Sequence, residues 1–244
     1  MANNLNSGIW NTIKREGKQL KMVAYRSFYM RPKLKEDITN NFHRMYYDSL
    51  LFGETHGNTY WLGTQIFKCP MDTWIYQELV YETRPDAIIE TGTKEGGSAL
   101  FLASMCDLVK HGRVISIDID HKEERPLHER ITYLHGSSTS DVIVEKVREL
   151  IDGCDTIMVV LDSDHSKQHV YQELKIFCEF VTVGSYLVVE DTNMNGNPVA
   201  PEFGPGPMEA VEEFLNDNGS FEVDKNKEKF YLTFNPNGYL KKIK

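Results

Sequence analysis

Five residues at two places in the chain, Asp162, Asp164, His165, Glu190 and Asp191, have types and spacing that could do chemistry. The first three follow the apolar run 156–161, and the last two follow a second run, 186–189. Short, wholly apolar runs read as strands buried in a parallel sheet. The carboxylates therefore fall at strand ends, the edge where open α/β sheets place their ligands. Asp162, Glu190 and Asp191 offer hard oxygens, which suit Mg²⁺ or another hard divalent cation better than zinc or copper. His165, three residues after Asp162, titrates nearest neutrality and is the candidate general base. His169 is the rival base, one helical turn further on. Asp164 is a rival ligand expected to point elsewhere. A His165–His169 pair would also suit iron, although Glu190 and Asp191 would then need another explanation. Taken singly, each acid could be a cap or turn residue. At the ends of adjacent strands they read together as a metal site with a base beside it.

A second constellation lies upstream. Residues 88–98, Ile-Ile-Glu-Thr-Gly-Thr-Lys-Glu-Gly-Gly-Ser, read as a strand, a glycine-rich turn and a helix start. Glycine lets a ligand approach such a backbone closely, though many α/β proteins turn this way for packing alone. Asp118 sharpens the signal, because a carboxylate ending the next strand accepts hydrogen bonds from ribose hydroxyls. The turn is not GxGxxG, since Lys94 and Glu95 interrupt it. An acid there would repel a pyrophosphate seeking the helix N-terminus. A phosphate-free, positively charged nucleoside fits better, and S-adenosylmethionine, a sulfonium, is one. Gly136-Ser137-Ser138, after the third strand, would edge the adenine.

These groups need a scaffold that brings strand ends together. From residue 71, helices over 71–82, 97–110, 141–151, 168–180 and 207–216 alternate with strands over 87–91, 113–119, 131–135, 156–161 and 186–190. Residues 221–224 and 229–234 read as a closing strand pair. The pattern predicts an α/β fold: a doubly wound, mostly parallel, Rossmann-like sheet with an antiparallel C-terminal pair and an N-terminal helical extension. Residues 40–70, broken by glycines, would cap the sheet edge. The expected organisation is a basic helical arm and cap over 1–58 and a catalytic domain over 59–244. The Pro- and Gly-rich segment 201–207 suits a shaped loop over the site or a plain connector.

Charge narrows the partners. Residues 1–35 hold eight Lys/Arg against one acid, so with a total of −9 the remainder carries about −16 by difference. An acidic body repels phosphates and argues against nucleic acid as substrate. The arm, with Trp10, Ile13, Leu20 and Tyr25 among its cations, reads as a rough amphipathic helix. It would pack on the domain or on a second subunit of a homo-oligomer, with an anionic membrane surface as the alternative. No apolar run approaches the ~20 residues that cross a bilayer, and the start lacks a signal-peptide core. The four cysteines form no CxxC pair. A reduced cytoplasmic protein is expected, peripheral at the inner membrane face if the arm binds lipid.

Several motifs agree in combination: Thr59-Tyr60 with Gly63, the stretch 70–78, Thr83-Arg84-Pro85-Asp86, the glycine turn, Asp118-Ile119-Asp120, Leu161-Asp162 and Glu190-Asp191. Over about residues 59–240 the chain resembles the cephalosporin hydroxylase/rhamnosyl O-methyltransferase family of class I S-adenosylmethionine-dependent methyltransferases. The resemblance implies Asp162, Glu190 and Asp191 as metal ligands. It implies Glu90, Gly92, Lys94 and Ser98 as the wall of the methionine moiety and Asp118 as the ribose contact; Ser138 and Asp162 are counted with the donor contacts. Catechol-type and macrolide-sugar methyltransferases look similar here, with a lysine or histidine three residues after the first metal aspartate, where His165 stands. The expected activity is metal-dependent methyl transfer to a hydroxyl of a sugar or glycosylated acceptor, the sugar resting on the resemblance alone. Two other readings stay open. One is a hydroxylase or its partner subunit, although the sequence offers no evident redox centre. The other is a non-catalytic cofactor-binding scaffold.

Overall fold

A computed structural model describes residues 2–244, with side chains from Lys14 onward. The chain divides into two compact units, one ending at Phe42 and one running from His43 to Lys244. The first unit holds helix α1 (Ala2–Tyr29) and the start of α2 (Pro32–Asp48). Pro32 opens α2, where a missing N–H costs nothing. Leu20 and Tyr25, expected among the cations of α1, are exposed. Trp10 and Ile13 lie outside the residues whose side chains are described.

In the second unit the end of α2 leads through two short 3-10 turns to a small hairpin, β1 (Tyr60–Trp61) with β2 (Thr64–Gln65). The main alternation follows: α3 (Pro70–Thr83), β3 (Ala87–Thr91), α4 (Gly97–Val109), β4 (Arg113–Asp118), β5 (Ile131–His135), α5 (Asp141–Ile151), β6 (Ile157–Leu161), α6 (Lys167–Phe177) and β7 (Tyr186–Val189). The closing elements are α7 (Pro207–Asp217), β8 (Phe221–Val223) and β9 (Tyr239–Lys242). Seven strands form one sheet in the order β5-β4-β3-β6-β7-β9-β8. The first five are parallel, and β9 joins β7 and β8 antiparallel. This is the doubly wound, mostly parallel sheet with an antiparallel C-terminal pair that the sequence pattern predicts.

Alternation along the strands decides which helices cover which face. Ile89, Val159 and Leu161 pack with Ile143 and Val147 of α5, Leu174 and Phe177 of α6, and Phe214 of α7. Ile88, Met158 and Val188 pack on the other face with Tyr76 and Leu79 of α3 and Phe101 of α4. Each such aliphatic residue contributes roughly 1.5–3 kcal/mol by leaving water, so both helical layers are held by the sheet rather than by each other.

One expected strand is misplaced. Residues 229–234 do not pair; the closing strand is β9. The backbone of Phe234 is engaged elsewhere, its N–H donating to Asp72 and its carbonyl accepting from the Asn193 N–H. The lysines of Tyr239–Lys242 diluted its apolar signal. In the fold Lys242 donates to the carbonyls of Cys178 and Val181, so its charge sits at the end of a packed stem.

Candidate active site

The strand ladder brings the carboxylates to one edge. Thr91, Leu161 and Val189 are in register across β3, β6 and β7. The bonding continues one residue beyond, with Asp162 N–H donating to Thr91 O and Glu190 N–H to Leu161 O. Gly92 makes this approach possible. It has φ +85, and a Cβ there would lie 1.8 Å from the Asp162 carbonyl oxygen. Along this edge runs a cavity of about 740 Å³, bordered by Gly92, Lys94, Asp118, Ser138, Asp162, His165 and Asp191.

Glu190 and Asp191 are adjacent in sequence but diverge in space. Glu190 continues the alternation of Tyr186 and Val188, which face α3. Its carboxylate is buried there, with Oε1 2.6 Å from Lys68 Nζ and accepting from the Tyr76 hydroxyl at 2.5 Å. Asp191 takes the left-handed conformation, φ 54, which Asp tolerates better than most residues. That turn directs it to the cavity, where its Oδ2 lies 3.3 Å from His165 Nε2. The same nitrogen is 3.3 Å from Asp162 Oδ1, while Asp162 Oδ2 accepts from Lys68 at 2.6 Å. Among the described residues, Asp162, His165 and Asp191 present ligand atoms that all lie within 4.8 Å of one another.

The charges are mutually dependent. Burial opposes the charge of Asp162, but Lys68 and His165 overcome it and hold the carboxyl at about 2. Burial likewise opposes protonation of His165, yet Asp191 and Asp162 raise its imidazole to about 9. Burial pushes Glu190 and Asp191 upward, against Lys68 and His165 respectively. Two aspartate carboxylates offer oxygens that a hard divalent cation keeping several waters can use, with the imidazole of His165 beside them as a base. The residues fit such an ion. Glu190 stands outside that set, held by Lys68 and Tyr76.

The remaining expected residues separate into two groups. Gly92, Lys94, Asp118 and Ser138 border the cavity. Glu90 and Ser98 line a smaller enclosed space beneath it, with Lys68, Tyr76 and Glu190. Glu90 accepts from Ser116 at 2.6 Å, and its other oxygen has no partner. Asp118 fastens the glycine turn: its Oδ2 accepts from the N–H groups of Thr93 and Lys94 and from Arg125, and its Oδ1 from Asp120 N–H. The rival base also borders the cavity but is paired differently. His169 Nε2 lies 3.5 Å from Glu173 Oε1 and 3.4 Å from Ser138 Oγ, so the two histidines serve different carboxylates. Asp164 accepts from the Ser166 N–H at the start of α6, as a turn residue does. Segment 201–207 supplies none of the residues bordering the cavity; Pro205 O accepts from Lys167 N–H beside the start of α6.

Sequence reasoning missed Lys68, Tyr76 and Arg125. Lys68 carried a faint signal, a lone cation between Ile66-Phe67 and Cys69. An isolated charge in an apolar stretch implies a buried counter-charge. Tyr76 carried none, because its partner Glu190 is distant in the chain; Arg125 carried none because it lies in the charged stretch 118–130, where a cation does not stand out.

Comparison with known proteins shows the family. Residues 54–243 match the family described as rhamnosyl O-methyltransferase/CmcI. The rhamnosyl O-methyltransferase of Mycobacterium leprae (strain TN) is 39% identical over 211 residues, covering 84% of this chain and 90% of that protein. The one from Mycobacterium tuberculosis (strain ATCC 25618 / H37Rv) is 39% identical over 213 residues, covering 83% and 84%. Among solved structures, apo CmcI aligns with a TM-score of 0.62 at 20% identity over 77% of both chains. CmcI with Mg and SAM aligns with a TM-score of 0.62 at 19% identity, over 77% of this chain and 78% of that one. Those two likenesses speak to the fold, and the family match over residues 54–243 extends over nearly the whole unit that carries the cavity. The chain belongs to the rhamnosyl O-methyltransferase/CmcI family of class I S-adenosylmethionine-dependent methyltransferases, and the protein is an O-methyltransferase.

Proposed function

We propose that the protein transfers a methyl group from S-adenosylmethionine to a hydroxyl of a sugar or glycosylated acceptor, with a hard divalent cation such as Mg²⁺ held by Asp162 and Asp191. The observation that carries this reading is the convergence of Asp162, Asp191 and His165 at the edge of a cavity that also contains the glycine turn and Asp118. The mycobacterial relatives named for rhamnosyl methylation support the sugar. On this reading residues 59–244 are the catalytic domain, and 43–58 close its cavity.

The chain's own groups divide the work. A bound cation would supply a positive field that lowers the pKa of the acceptor hydroxyl. Asp162 and Asp191 orient that hydroxyl beside His165. The same carboxylates, once committed to a cation, hold the imidazolium less strongly and free His165 to accept the proton. The hydroxyl oxygen then bonds to the methyl carbon as the carbon–sulfur bond breaks, leaving S-adenosylhomocysteine, and alignment supplies much of the rate. Lys68 keeps Glu190 on the α3 side, so Glu190 reaches a cation only by leaving Lys68 and Tyr76.

Exposed apolar groups and cations on the arm support contact with a second subunit or an anionic membrane surface. The test of the catalytic reading uses methyl-labelled S-adenosylmethionine and a panel of glycosides. Label should enter a glycoside, stop with EDTA and return with Mg²⁺. Full transfer in chelator would reject the cation, and label appearing only in non-sugar acceptors would reject the sugar.

A further inference from the structure

The cavity has an end that donor and cation do not account for. Sheet order gives it a direction: the glycine turn, Asp118 and Ser138 follow β3, β4 and β5, while Asp162 and Asp191 follow β6 and β7. Beyond β7 the lining becomes aromatic. Phe234 is tied to the cation end of the site, its carbonyl accepting from Asn193 N–H and the neighbouring Asn235 side chain accepting from Asp191 N–H. Tyr47 and His56 close on it. The Tyr47 and His56 rings stack at 5.5 Å, and His56 meets Phe234 edge-on at 4.8 Å. All three rings border the cavity.

His56 is the anomaly of this wall. It is only 6% exposed, and its Nδ1 has no hydrogen-bond partner. Burial, reinforced by the charge of Lys94, lowers its imidazole to about 4. A neutral imidazole offers one N–H and one lone pair and brings no charge to the wall. Leaving such a nitrogen unpaired is unfavourable unless a ligand supplies the partner. Aromatic faces with one neutral hydrogen-bonding group suit a ring that has C–H faces and hydroxyl edges. They suit a phosphorylated or carboxylated acceptor poorly, because Tyr47, His56 and Phe234 bring no charge and Lys94, whose charge reaches His56, is seated over the Phe67 ring at 3.5 Å.

We propose that Tyr47, His56 and Phe234 form the acceptor subsite, and that His56 is a positioning residue hydrogen-bonded to a non-reacting hydroxyl of an uncharged pyranoside. This rests on the methyltransferase reading above and adds to it the acceptor wall and the residue that fixes the ring.

The test measures methylation of octyl pyranosides, the rhamnoside among them, with catechol as a non-sugar acceptor. Calorimetry follows S-adenosylmethionine in parallel. His56→Phe keeps the ring and removes both nitrogens; His56→Gln keeps a donor and an acceptor. We expect His56→Phe to raise the acceptor KM roughly tenfold or more, the effect of losing one hydrogen bond in a dry site. Its kcat and donor affinity should stay near wild type, and His56→Gln should recover part of the loss. Phe234→Leu should raise the same KM. Unchanged acceptor KM in His56→Phe, or a donor affinity that weakens in step with it, would overturn the proposal while leaving the proposed function standing. Methylation of catechol but of no pyranoside would remove both.

Discussion

At the scale of single residues, the site is organised by Lys68 as much as by its acids. It neutralises Asp162 and Glu190 from beneath, which leaves Asp162 and Asp191 to share His165. We expect His165→Ala to abolish methyl transfer while S-adenosylmethionine binds with near wild-type affinity by calorimetry. Unchanged turnover would reject His165 as the base. Lys68→Met leaves the buried Glu190 carboxylate without its cation and Asp162 with His165 alone, a change that typically costs about 3–5 kcal/mol. For a chain of this size the melting temperature should fall by roughly 6–20 °C. Adding Glu190→Gln should restore part of the loss, and a single-variant melt within about 2 °C of wild type would contradict the buried-pair account. Asp162 and His165 were legible in the sequence because both lie just past a strand end. The division of labour between Glu190 and Asp191 was not. It depends on one left-handed residue and on a lysine from a loop far earlier in the chain.

At the scale of elements, the alternation of strands and helices was readable because the central strands β3, β6 and β7 are buried on both faces. β3, β5 and α5 begin and end where the pattern puts them. The closing strand was not readable, since Leu240 and Lys242 exchange an apolar period for one that only the antiparallel partners β7 and β8 explain. Packing around the end of α2 carries its own pH signature. His43 is buried and accepts from Asn193, and burial, with Arg44 nearby, lowers its imidazole to about 4, as burial does for His56. In the unfolded chain both titrate near 6.5. Between these values the unfolded state binds more protons, so this stability is complete above about pH 6.5 and is lost as pH falls toward 4. Each histidine adds a slope of up to about 1.4 kcal/mol per pH unit across that window. Urea midpoints at a series of pH values should fall accordingly, and His43→Gln should flatten the curve. A variant curve parallel to wild type would show that His43 is not the source.

At the scale of the molecule, a sheet edge gathers groups from β3, β4, β6 and β7, while the residues that close the cavity come from outside the alternating pattern. Tyr47 and His56 precede it, and Phe234 follows it. The fold class, and the gathering of Asp162, His165 and Asp191 at one sheet edge, could therefore be read from the sequence, because strand ends are marked by composition. The cavity's aromatic end could not be read as a whole, because its three rings come from the end of α2, a 3-10 turn and a loop that meet only in the folded chain. The claim on which the functional account depends most is that Asp162 and Asp191 bind one divalent cation. Chelator-treated protein titrated with Mn²⁺ and followed by electron paramagnetic resonance tests this without knowledge of the acceptor. One ion should bind per chain, Mg²⁺ should displace it, and Asp162→Asn or Asp191→Asn should each weaken it roughly tenfold or more, as expected when one charged ligand is lost. Absence of a specific Mn²⁺ signal in wild type, or wild-type affinity in both variants, would contradict it.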